Sequence, residues 1–218
     1  MAKKVKKKIN KVIKILIMSD IALLTGYGLI LPVFAIFLTQ RIQGGNVEVA
    51  GFAAAIYWIV KSIVIIPFGK YLDKNHGEKD DLAFIIAGNF LAAISVIGYL
   101  FAWLPWHVYV LQGIFAVGMG MNVPGYTAIF TRHIDKGKEA FEWSVRGSTA
   151  AVGTGLAGAL GGVVAMHFGF QSLFVGVALF YVLSALLPFL ITDEMSAANR
   201  PAPKIPKTKS TNVSGPKE

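Results

Sequence analysis

Long apolar runs alternate with short polar intervals along the whole chain. Six runs predict helices over about 14–39, 49–69, 82–103, 106–130, 143–166 and 170–192. Each is long enough to cross a hydrocarbon core of roughly 30 Å. The intervals at 70–81 and 131–142 are dense in charge, whereas 40–48 carries one arginine and 104–105 is a bare turn. Ahead of the runs lies a basic tail, residues 1–13. Behind them, residues 193–218 hold four of the nine prolines among polar residues, a composition that predicts disorder. The fold class expected is therefore an all-α integral membrane protein with a six-helix domain at 14–192.

Two runs share an internal pattern. Gly26, Gly28 and Pro32 form G-x-G-x-x-x-P, and Gly118, Gly120 and Pro124 repeat it 92 residues later. The copies fall on the first and fourth runs. Three helices separate them, so the second triplet enters from the opposite side, which predicts two inverted three-helix repeats. Gly and Pro within such helices suit bending and close packing.

Composition narrows the class. Only 15% of residues are charged, against about 25% in a soluble domain. With no cysteine, disulfides and thiolate metal sites are excluded. The net charge of +9 sits in tails and alternate loops, which is a topology signal rather than a nucleic-acid surface. Lys3, Lys4, Lys6, Lys7, Lys8, Lys11 and Lys14 begin the chain. They predict an uncleaved first helix with both termini cytoplasmic, as in the inner membrane of a prokaryote. Trp103 and Trp106 then mark the outer interface and Trp143 the inner one.

Ionisable residues inside membrane helices usually face a cavity or a partner. Asp20 and Lys61 are expected at similar depths, about two turns from the cytoplasmic side, and so as an ion pair with a protonatable carboxylate. Arg146 is expected either to pair with Glu142 one turn away, or to reach Asp73 or an anionic substrate. Asn89 is expected to bond between helices. The four histidines split between the two sides, so no metal site is expected, and no Walker A sequence, cofactor site or nucleophile–base set is present.

Several stretches resemble one family. The interval after helix 2, with Gly69, Asp73 and Lys74, is similar to the loop G-x-L-A-D-R-x-G-R-K of the major facilitator superfamily, although it is one residue longer before Gly77. The resemblance implies a cytoplasmic latch. Gly153, Gly158, Gly161 and Gly162 in helix 5 resemble the family's antiporter motif, with Ala157 and Gly158 where Gly and Pro are usual; close packing by small residues is the competing reading. Leu111-Gln112-Gly113 resembles R-x-x-Q-G, with Tyr109 in the arginine position, and 169–174 resembles G-W-R-x-x-F.

In that family helices 1 and 4 line the central cavity. By analogy Tyr27, Asn122 and Tyr126 are binding candidates beside Asp20, Lys61 and Arg146. Family members carry about twelve helices in two six-helix halves. The expectation is a secondary transporter of a small solute by alternating access, proton-coupled or effluxing, not an enzyme. The second half would be another copy in a parallel two-fold dimer, a different chain, or a missing continuation. A non-transporting accessory or scaffold subunit is the competing class. Membrane lipids are the other expected partner.

Overall fold

The computed structural model describes residues 10–75 and 77–198. The lysine cluster up to Lys8, His76 and the tail beyond Ala198 lie outside the described residues.

Helix α1 spans Lys11–Ile30, opened by Asn10, whose side chain accepts from Val12 N at 3.1 Å. Pro32 has no N–H to continue the ladder. The chain turns over 31–33 and restarts as α2, Phe34–Arg41. Gly44, at φ 74°, makes the next turn, and Asn46 accepts from Val49 N at 2.9 Å as α3, Val47–Asn75, begins. Helix α4 is Glu78–Gly98, and its first turn carries Glu78, Asp80 and Asp81 at the positive end of the helix dipole. A 3-10 turn, Tyr99–Phe101, leads to α5, Pro105–His133, which starts on a proline and ends on Arg132 and His133. Helix α6 is Glu139–Leu186; a second 3-10 turn, Leu187–Ile191, follows, and α7 is Thr192–Ala198.

Among the described residues, five stretches are long and apolar enough to cross a membrane, the last running from Glu139 to Met195. At 1.5 Å per residue its 57 residues would measure about 85 Å. Gly169 divides it, with φ 79° and ψ 167°, values no helix adopts.

Packing places α1 on α6, α4 on α5 and α6, and α3 on α5. Two buried clusters result. One gathers Ile13 and Leu16 of α1, Leu82 and Ile85 of α4, Ile129 and Phe130 of α5, and Met195 of α7. The other gathers the opposite ends of the same helices, with Phe37, Tyr99, Val108 and Phe174. Lys11 pairs with Glu194 at 2.5 Å, so the described chain begins and ends at the same end of the bundle. At that end Arg132 bonds Asp81, and His133 Nε2 lies 3.0 Å from Glu78 Oε1, clamping α5 to α4.

Glycines set the closest approaches. A Cβ on Gly28 would lie 2.5 Å from Thr154 O, and one on Gly161 would overlap Leu29 O. Gly153 and Gly158 also face α1, whereas a Cβ on Gly162 would meet nothing within 4 Å. Gly162 therefore takes no part in the α1 seam.

Two boundaries differ from expectation. Helix α3 continues through 70–75, because charged residues are helix-compatible once the helix leaves the bilayer. Gly69, Asp73 and Lys74 therefore lie on helix, not in a loop. Asp73 and Lys74 are exposed, and neither forms an ion pair among the described residues. A Cβ on Gly69 would sit an ordinary 3.9 Å from Pro124, so close approach does not demand glycine there. Lastly, Thr192–Ala198 is helical where disorder was expected, held by Met195 in the core and Glu194 on Lys11.

Candidate functional site

Asp20 is 5% exposed on α1 and faces Arg146 of α6. Arg146 Nη2 donates to Asp20 Oδ1 at 3.3 Å. Its Nε lies 3.0 Å from Oδ2 without hydrogen-bond alignment. The guanidinium also stands 4.6 Å over the Tyr126 ring and 5.6 Å from that of Trp143, a cation–π geometry. Tyr126 stacks in turn on Phe130 at 5.5 Å. One carboxylate, one guanidinium and two aromatic faces thus join α1, α5 and α6 inside the membrane span.

The expected Asp20–Lys61 pair does not form. The two helices pack on different neighbours. Lys61 Nζ donates instead to Tyr57 Oη at 3.4 Å, over the rings of Tyr57 and Trp58. Nor does Arg146 take Glu142, which is fully buried and accepts from Asp135 N at 3.3 Å.

A second polar chain crosses the bundle one residue from Asp20. Ser19 Oγ donates to Ser184 O at 2.8 Å and Ser184 Oγ to Ser19 O at 2.7 Å. Asn89 Nδ2 donates to Ser184 Oγ at 2.9 Å, and Asn122 Nδ2 donates to Asn89 Oδ1 at 2.7 Å. This links α1, α6, α4 and α5. Each interhelical bond contributes about 0.6 kcal/mol in a membrane protein. Asn89 bonds as expected. Asn122, a binding candidate by analogy, is buried in this network rather than open to solute. Ser19 and Ser184 escaped the sequence reading; the available signal was a small hydroxyl in the middle of each of two apolar runs.

Tyr27 does line open space. About 10 Å along α1 from Asp20 at 1.5 Å per residue, a cavity of about 280 Å³ lies among α1, α2, α3, α5 and the 170–186 arm of α6. Tyr27, Tyr57, Trp58, Tyr99, Phe115 and Tyr181 contribute its rings. The cavity lies at the break around Pro32, where Ile30 and Phe34 line it on either side of the turn. Gly26 serves the same space: a Cβ there would lie 2.7 Å from Tyr181 Cε1 and displace the ring. Among the described residues no group of His, Asp and Glu could hold a metal ion.

The chain is 23% identical over 172 residues to the "Multi-drug resistance efflux pump PmrA homolog" of Lactococcus lactis subsp. lactis (strain IL1403). That alignment covers 78% of this chain and 41% of the pump, so the chain spans less than half the length of the relative it matches. Residues 16–215 match the sequence model of the Major Facilitator Superfamily, and the chain belongs to that family as a multi-pass membrane protein.

Proposed function

We propose that the protein is a six-helix unit of a secondary transporter that moves a small solute by alternating access. The buried Asp20–Arg146 pair carries this reading, because an ion pair in the membrane interior is retained at a cost only where it does something. Protonation of Asp20 would release Arg146 and loosen α1 from α6, coupling a proton to a change of access. Efflux is the favoured direction, since the named relative is an efflux pump.

Two observations support six crossings in inverted triplets. The pairing of Lys11 with Glu194 supports an even number of crossings, with the stretch divided by Gly169 crossing twice. The packing partners also exchange between triplets: α1 lies on both arms of α6, as α5 lies on α3 and α4. A second unit, most simply another copy related by a two-fold axis along the membrane normal, would cover the exposed apolar faces of α3 (Ile59, Ile63, Ile66) and α6 (Val152, Leu156, Leu160). The basic residues of the tails and alternate intervals support cytoplasmic termini in this reading.

Asp20→Asn tests the reading in proteoliposomes. The expected result is normal insertion with proton-driven flux reduced at least tenfold. Unchanged flux would remove Asp20 from coupling, and absence of flux in the parent protein would favour the scaffold alternative. Single-molecule photobleaching at low density in a bilayer tests the second copy: two-step traces are expected, and one-step traces would exclude it.

A further inference from the structure

Lys61 is a half-buried cation at the midpoint of a 29-residue membrane helix. The charged residues that flank its apolar stretch, Glu48 and Lys70, are about 20 Å and about 14 Å away along the helix, beyond the length of a lysine side chain. Among the described residues no carboxylate lies within ion-pair distance of it. Its nearest polar neighbour is the Tyr57 hydroxyl, itself part of the cavity wall, and Trp58 beneath it is another wall residue.

Four tyrosines line this cavity. Tyr181 Oη is fully buried and has no hydrogen-bond partner. Tyr27, Tyr57 and Tyr99 are the other three. Four phenols from four elements therefore share one small apolar space with rings on its walls. A buried unpaired hydroxyl is costly, and so is an uncompensated ammonium. One occupant would relieve both: a flat ring for the walls, an acceptor for the hydroxyls and a negative charge for Lys61.

We propose that this cavity is the solute site of the transporter and that it takes a small aromatic organic anion, with Lys61 as its counter-ion and Tyr181 as a hydrogen-bond donor. The proposal rests on the transporter reading above and names its substrate class. The volume of about 280 Å³ suits a single ring system. The ammonium repels the organic cations that an aromatic cavity would otherwise attract.

The test uses the full chain in neutral phosphatidylcholine nanodiscs at pH 7, with benzoate, benzyl alcohol and benzylammonium as probes of one ring and three charges. Equilibrium binding should favour benzoate over benzylammonium by at least tenfold. Lys61→Met should abolish that preference while Lys61→Arg keeps it. Tyr181→Phe, which removes only the hydroxyl, should weaken benzoate several-fold with the charge preference intact. Equal or tighter binding of benzylammonium overturns the proposal. So does a Lys61→Met protein that binds benzoate normally but loses its oligomer, because Lys61 would then serve a carboxylate of the second unit. Asp20-dependent flux without benzoate binding would sink this site and leave the transporter standing; benzoate binding without flux would do the reverse.

Discussion

The two G-x-G-x-x-x-P stretches share one local sequence and have opposite fates. Around Pro32 the helix stops at Ile30 and restarts at Phe34. Around Pro124 helix α5 runs unbroken from Pro105 to His133. Both prolines have glycine four residues before them, so the missing hydrogen bond and the ring clash are the same in each. Surroundings differ. Pro32 is exposed, while Pro124 lies in a stretch gripped from two sides. There a Cβ on Gly125 would lie 2.5 Å from Asp81 O of α4, and Gly120 abuts Val64 of α3. Of these two helices only the first breaks at its proline. The aromatic cavity lies at that break.

The glycines exchange roles in the same way. In the first copy Gly28 meets backbone, Thr154, and Gly26 meets a ring. In the second, Gly118 meets backbone, Gly88 O, and Gly120 meets a side chain, Val64. Backbone cannot move aside, whereas a valine can rotate. Gly28→Ala and Gly118→Ala should therefore be the more damaging change in each copy, each destabilising by about 1–3 kcal/mol through overpacking; thermal melts in detergent check this. A melt for Gly118→Ala as benign as for Gly120→Ala would break the comparison.

Replacing the prolines comes next. Pro32→Ala should let α1 extend towards α2, closing the cavity and weakening benzoate binding severalfold with little change in melting temperature. Pro124→Ala should leave binding unchanged and, by restoring the ladder bond, hold or slightly raise stability. Equal binding losses from the two would mean that the break at Pro32 does not shape the site. A smaller effect is expected from Gly120→Ala, below about 1 kcal/mol, since Val64 can yield. The smallest belongs to Gly162→Ala, within about ±0.5 kcal/mol, because nothing lies against it. A large loss there would point to a partner on that face.

Much of the fold was legible. Apolar run length marked every membrane-length stretch, since the hydrocarbon core demands it. Gly153 and Gly161 were recognisable as packing residues because small side chains at four-residue intervals share a helix face. The polar pairings were not. Asp20 finds Arg146, 126 residues away, because α1 packs on α6 rather than α3. Depth alone suggested Lys61, but α3 packs on α5 rather than on α1. Asn122 illustrates the same gap: a polar side chain on a helix expected to line a cavity proves to be bonded to Asn89.

The chain's own pattern determined that this is a multi-pass helical membrane protein with a repeated Gly–Pro element, because burial in lipid constrains each segment independently of its neighbours. Tertiary structure alone decided which proline breaks its helix, which acid meets which base, and where four tyrosines enclose a space. Those outcomes depend on the rotation and pairing of helices, which packing sets between segments distant in sequence.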